Sequence, residues 1–419
     1  MAYVSSTRGY LMFLANFLNF AGYSAGLVVL SGMGMLALSR ELTIPIRLLI
    51  LACLFGAMCL QGKIFRNEKL LPFILFAACY LARIIIEIFK GHTPHVSVAE
   101  ILLYFLAFAL LPVLILGSLK LSTKDYSMIR NAVLLSCLAL AALTLVYFRG
   151  VIGTVGRIGK TGEDGITYVS PLILSYCGTM GMGVAISYLI ENKTRFFSKL
   201  LLLATIGFCL VPFYLGSSRG SILALFLPFI MLFLCKWNIV TSMRMIVFVL
   251  AIGGLGVYLG EMFGSSLVDR FTNIGADISA NTESAIRLEM WKSGLEQFAN
   301  NPIFGNFLEV EAFRMYPHNI IIEVLLSTGI IGFIPFTMMI IGGFRTVFWI
   351  FRHNPQYAWL GVIYVQSFTQ NMFSGCLYNS SWIWFSIGLL YAFEYSVKYS
   401  SKAAYGGSWH MPRILANQN

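Results

Sequence analysis

The sequence predicts an all-α, polytopic integral membrane protein of about twelve transmembrane helices with one large extramembrane loop. Three observations predict it. First, 58% of the 419 residues are hydrophobic and 11% are charged, whereas soluble domains carry about 25% charged residues. The mean hydropathy is +0.79, too apolar for a water-soluble core to hide. Second, apolar runs of roughly 20 residues, the length that crosses a bilayer, recur along most of the chain. Third, Lys and Arg gather in short clusters between those runs, as orientation signals do. The net charge of +11 therefore does not indicate nucleic acid. The eight cysteines lie mostly inside apolar runs and form no CxxC, so they read as small buried hydrophobes.

Taken in order, the expected spans are 17–38, 44–61, 70–88, 98–118, 130–148, 170–190, 198–216, 218–235, 243–260, 320–344, 357–375 and 379–397. No signal-peptide cleavage pattern precedes the first, so it is expected to be retained. The chain divides into nine helices over 1–261, a polar loop over 262–317, three helices over 318–397 and a tail over 398–419. With the N-terminus inside, the basic clusters at Lys63, Arg66 and Lys69, at Lys120, Lys124 and Arg130, and at Lys193, Arg195 and Lys199 fall on the inner side. That bias puts both termini inside and the long loop outside.

Polar features collect on the predicted outer side. The stretch 149–169 is glycine-rich and carries Arg157 and Lys160, which could help hold an anion. It lacks the spacing of a phosphate-binding P-loop. Leu215-Gly-Ser-Ser-Arg219-Gly-Ser221 joins two apolar runs with almost no loop. Its guanidinium could meet a phosphate there, or snorkel to headgroups. Within the long loop, Leu288, Trp291, Leu295 and Phe298 recur at helical spacing, predicting an amphipathic helix. Asn281, Thr282 or Ser284 would cap it, and Asn301-Pro-Ile-Phe-Gly305 would end it. Arg287 stands near its start, where the helix dipole disfavours a cation, so a role outside the helix is expected. His318 and Asn319 lie where the loop re-enters the membrane. Glu323 follows inside an apolar run, where a carboxylate is costly and a functional candidate. Gly329 and Gly332 would allow close helix packing. The outer turn 367–382 offers Tyr378 and Trp382 as faces for a sugar, or as interfacial aromatics.

With these residues in hand, the chain resembles the bacterial O-antigen ligase and polymerase superfamily. His318-Asn319, nine residues, then Gly329 and Gly332 match its His-[Asn/Ser/Gln]-x9-Gly-x-x-Gly pattern. Ser218-Arg219-Gly220-Ser221 matches its Arg-Gly-Ser segment. Arg287, Trp291 and Asn301-Pro-Ile-Phe-Gly305 match its loop arginine, tryptophan and following turn. The resemblance covers about 200–397, and the N-terminal half only by hydropathy.

The resemblance implies a multi-span, GT-C-like fold in the bacterial inner membrane, with an active site facing the periplasm. It implies transfer of a glycan from undecaprenyl diphosphate, without metal or other cofactor, to a lipid-linked repeat (polymerase) or to lipid A-core (ligase). A polymerase is the slightly favoured reading, and a chain-length regulator would be its expected partner. Arg219 and Arg287 would stabilise the diphosphate leaving group. His318 would take the acceptor proton, and direct displacement would invert the anomeric centre. Glu323, Asn319, Arg157, Lys160, Trp291 and Tyr378 would bind substrate. A transporter or flippase is a third reading. It is disfavoured because the ionisable residues gather at one boundary and in one asymmetric loop, with no internal repeat.

Overall fold

In the computed structural model, the described residues are 2–62, 67–90, 94–152, 154, 157–158, 169–191, 194–236, 283–405 and isolated positions between 243 and 264. They form helices, joined by turns and one isolated antiparallel bridge between Val310 and Met315. Eight helical stretches among them are long and apolar enough to cross a membrane, and Arg219–Cys235 is a shorter apolar helix. Helices suit this environment because every internal N–H and C=O is satisfied within the segment. The all-α, multi-pass class expected from the sequence is thus borne out. Apart from those isolated positions, the expected span 243–260 and the loop residues up to 282 lie outside the described residues.

Helix α1 (Ala2–Phe17) passes through a π segment, Leu18–Gly22, into α2 (Tyr23–Gly32). The first span therefore runs Ser6–Gly32, earlier than the expected 17–38. Asn16 and Asn19 lie within it and both are buried. Asn16 Nδ2 donates to the Met12 carbonyl at 2.8 Å, and Asn19 Oδ1 accepts from Arg47 at 2.9 Å. Arg8 pairs with Asp125, itself part of the Ser122–Asp125 capping box that opens α7 (Thr123–Tyr147).

Helices α3 (Ser39–Gln61), α4 (Leu71–Lys90), α5 (Val98–Tyr104) and α6 (Leu111–Gly117) precede α7. A second π segment, Phe105–Leu110, joins α5 to α6. Then come α8 (Pro171–Glu191), α9 (Phe196–Gly216), α10 (Arg219–Lys236), α11 (Glu283–Asn300), α12 (Ile320–His353), α13 (Ala358–Phe373) and α14 (Ser381–Tyr405). Helix α13 contacts α8, α10, α12 and α14. It is the post around which the second half is built. Trp384 of α14 is fully buried against Phe73 and Phe76 of α4, and its Nε1 donates to the Leu377 carbonyl at 2.9 Å.

The expected continuous span 320–344 is corrected in two ways. Helix α12 extends to His353, and it is broken at Gly329, where φ is +59°. The Asn301–Gly305 turn inserts into that break. Ile330 N–H donates to the Pro302 carbonyl at 2.8 Å, and Asn306 N–H to the Leu326 carbonyl at 3.0 Å. The turn thus satisfies backbone groups that the kink frees. Glycine at 329 is required by the left-handed φ and by the Ile303 carbonyl, with which a Cβ would collide. Gly305 (φ +65°) meets Leu326 and Ser327 backbone in the same way. The two motif glycines thus serve one contact between turn and kink. Gly329→Ala should cost about 1–3 kcal/mol from backbone strain alone, with the clash added. Thermal unfolding of the purified variant checks this, and an unchanged midpoint would contradict it.

Candidate active site

The candidate site lies at the end of the bundle where α9 meets α10, Arg287 near the start of α11 reaches the end of α13, and α12 begins. Arg219 is the first residue of α10 and is half-buried. Next to it, a Cβ on Gly220 would collide with the Tyr176 hydroxyl and lie 3.3 Å from Phe373 Cβ. Arg287, one turn into α11, donates from Nη1 to the Phe373 carbonyl at 3.2 Å. The local conflict with the helix dipole is thus offset by a contact outside the helix.

One turn further on, Trp291 Nε1 donates to the Pro317 carbonyl at 2.8 Å. This fixes the backbone just before His318. Asn319 caps α12, accepting from Ile321 and Ile322 N–H at 3.0 and 3.2 Å. Its Nδ2 donates to the Met372 carbonyl at 3.3 Å. The adjacent carbonyls of Met372 and Phe373, at the end of α13, therefore gather the arginine-bearing and histidine-bearing segments onto one short stretch of backbone.

His318 adopts φ +57°, a left-handed conformation that costs a non-glycine residue about 1–3 kcal/mol and persists only where neighbours over-determine it. The Trp291 and Asn319 bonds on either side do so. Its ring lies edge-on to Tyr316, with centroids 4.5 Å apart. Tyr316 sits between opposite charges. Burial, Cys376 and the carboxylates of Glu323 and Glu309 push its phenol up, while Arg287 pulls it down. It therefore stays protonated at neutral pH and can donate a hydrogen bond beside His318.

The remaining expected residues have other surroundings. Glu323 is fully buried, and both carboxylate oxygens accept from the Leu377 N–H at 3.0 Å. Its contact braces the 374–380 turn. Tyr378 is buried within that turn, stacked on Tyr104 at 6.4 Å and edge-on to Tyr316 at 6.2 Å. Arg157 Nε donates to the Gly216 carbonyl at 3.1 Å, which latches Arg157 to the turn before Arg219. Lys160 lies outside the described residues. So do Asn281, Thr282 and the side chain of Ser284, the expected caps of α11.

Three further residues around the candidate site were missed from the sequence. Tyr176 lies near Ser218, Ser374 and Arg287. Glu309 is 1% exposed, and its Oε2 accepts the His95 N–H at 2.9 Å. Arg83 of α4 is buried and donates to the carbonyls of Phe304 and Gly305 at 2.8 Å, Asn306 at 3.1 Å and Ser327 at 2.8 Å. It also pairs with Glu87 at 3.3 Å. One guanidinium thus clamps the turn into the α12 kink. The signal was an Arg–Glu pair four residues apart inside an apolar run, the kind of intramembrane charge that marks function.

Burial pushes the Glu309 carboxyl above the ordinary glutamate range, and the His95 N–H bond only partly opposes this. An acid whose folded pKa is raised loses its proton more readily when unfolded. Stability therefore falls as pH rises from the unfolded to the folded pKa, and the deficit persists above both. Glu309→Gln should raise the neutral-pH unfolding temperature and leave it unchanged at acid pH. A lower neutral-pH midpoint would contradict the assignment.

Residues 203–337 match the family model described as O-antigen ligase. This segment, about a third of the chain, is similar to the O-antigen ligase family. It contains Arg219, Arg287, His318, Asn319, Glu323 and both kink glycines, and it bears out the superfamily resemblance. The O-antigen ligase match stops short of the 367–382 turn and does not reach Arg83. A comparison with curated proteins found no match.

Proposed function

We propose that the protein is a surface-polysaccharide glycosyltransferase that moves a glycan from undecaprenyl diphosphate to a lipid-linked repeat, an O-antigen polymerase. The single observation that carries this reading is the convergence of the Arg219, Arg287 and His318 segments on Met372 and Phe373, the last two segments through the carbonyls and the first through the Phe373 side chain. The site faces the periplasm of the inner membrane, a placement supported by the charge bias of the short loops.

The chemistry follows from the residue types. Arg219 and Arg287 bind the donor diphosphate, and their fixed guanidiniums stabilise the charge that grows as the sugar–phosphate bond breaks. Such a cationic pair serves a leaving group without needing a proton for it. Neutral His318 accepts the acceptor hydroxyl proton as the oxygen attacks C1. Attack opposite the leaving group inverts that carbon. Tyr316, protonated beside His318, orients the imidazole or the acceptor hydroxyl.

Ligation to lipid A-core is the second reading. The description of the matched family and the His318-to-Gly332 pattern favour it. Both readings use the same three residues, and the acceptor separates them. Lipopolysaccharide from a deletion strain decides: core capped by a single repeat indicates a polymerase, and bare core with accumulated lipid-linked polymer indicates a ligase. A normal ladder in the deletion strain would contradict both.

A further inference from the structure

A second cationic position lies away from this site, in the N-terminal half that the family match does not cover. Arg8 and Arg83 each have a carboxylate partner, Asp125 and Glu87. Arg47, inside α3, has none among the described residues. It is 9% exposed. Its Nη1 donates to Asn19 Oδ1 at 2.9 Å, and its guanidinium lies 3.9 Å from the Phe108 ring centre and 5.3 Å from that of Tyr23. Two buried donors remain without a partner there among the described residues, Arg47 Nε and Asn19 Nδ2.

The backbone around this position is also unusual. Asn19 belongs to the π segment Leu18–Gly22, and Phe108 to the π segment Phe105–Leu110. Such segments are rare and frequent at functional sites. Here two of them, on separate spans, flank one arginine of a third. Trp382 donates to the Asn19 and Phe20 carbonyls at 3.1 and 2.8 Å. It ties the first π segment to the start of α14, just after the 374–380 turn.

An uncompensated buried cation costs more than contacts with two rings return. An anion would balance it and would also occupy the two open donors. The neighbouring α3 residues Ile44, Leu48 and Leu49 are exposed apolar side chains on a membrane-crossing helix. An anion that reaches Arg47 from that surroundings is carried on a lipid. Guanidinium and amide donors together suit a phosphate.

We infer that Arg47 and Asn19 hold the phosphate of a membrane lipid, at a position that shares no residue with the Arg219, Arg287 and His318 site. The inference does not depend on the proposed reaction. Two lipids carry this chemistry, a polyprenyl phosphate and a glycerophospholipid.

The test uses the purified full chain in maltoside micelles, with Arg219→Ala and Arg287→Ala as the parent background. Undecaprenyl monophosphate and phosphatidylglycerol are added separately, and bound lipid is counted by native mass spectrometry. The parent should retain one lipid, and Arg47→Met and Asn19→Leu should bind it about tenfold more weakly, the loss of one charge-assisted contact. Preference for undecaprenyl monophosphate would point to a polyprenyl lipid, and equal binding to a bulk headgroup. Both support the inference. Equal binding by the parent and Asn19→Leu, or by the parent and a folded Arg47→Met, would overturn it and leave Arg47 held by Asn19 and the two rings alone. Should Arg47→Met not fold, Asn19→Leu decides.

Discussion

Replacing His318 by Asn should abolish glycan transfer while leaving the protein at least as stable as the wild type. The two halves of this expectation have separate causes. A general base contributes about 10²- to 10⁴-fold, and a carboxamide cannot take the acceptor proton. A polysaccharide ladder should therefore disappear at unchanged protein level. The backbone argues the other way for stability. His318 is held at φ +57°, and Asn tolerates that region better than other non-glycine residues. On the proposed reading the strain serves the reaction, and it is relieved when the histidine is replaced. His318→Ala should also be inactive, without the compensating gain. Asn319→Ala serves as the control. It loses the α12 cap, at about 1 kcal/mol, and should lower activity without abolishing it. An active His318→Asn, or one that fails to accumulate while Asn319→Ala does not, would remove the assignment.

Arg83→Met should be the most destabilising single change outside the proposed catalytic residues. The side chain satisfies four backbone carbonyls and the buried Glu87. Removing one partner of a buried ion pair costs about 3–5 kcal/mol, because the other charge remains unpaired. The loss falls on the Asn301–Gly305 turn and the Gly329 kink, so it should also displace the start of α12 and His318 with it. Arg83→Lys is expected to rescue only part of this, since one ammonium cannot reproduce the planar fork. Arg83→Met combined with Glu87→Gln should recover stability but not the clamp. Thermal midpoints of the three variants check the order. If Arg83→Met matched the wild type, the clamp would be an incidental contact.

The fold was legible because membrane-crossing segments announce themselves by length and apolarity. The least accurate boundary, in the first span, lay where Asn16 and Asn19 interrupt the apolar run. Their partners, Met12 and Arg47, one backbone and one distant, were invisible to a window of hydropathy. The break in α12 was hidden for a related reason. Gly329 is compatible with close packing or with a kink, and only the arrival of the Asn301–Gly305 turn selects the kink. The motif arginines and histidine could be named from spacing and placement. What could not be read was which backbone joins them, since residues 372–373 meet Arg287 and Asn319 through carbonyls rather than side chains. Trp291 and Glu323, expected to bind substrate, also hydrogen-bond to Pro317 and Leu377, partners that no spacing pattern announces. Arg83 and Glu87 could have been noticed by the rule that drew attention to Glu323.

The most direct test of the shared site separates binding from chemistry in purified protein. Donor binding and glycan transfer from an undecaprenyl-diphosphate-linked repeat would be measured side by side for the wild type, Arg219→Ala, Arg287→Ala and His318→Asn. The account predicts that His318→Asn binds donor normally without transferring it, and that each arginine variant loses both. Transfer at the wild-type rate by His318→Asn, or undiminished donor binding by both arginine variants, would contradict it.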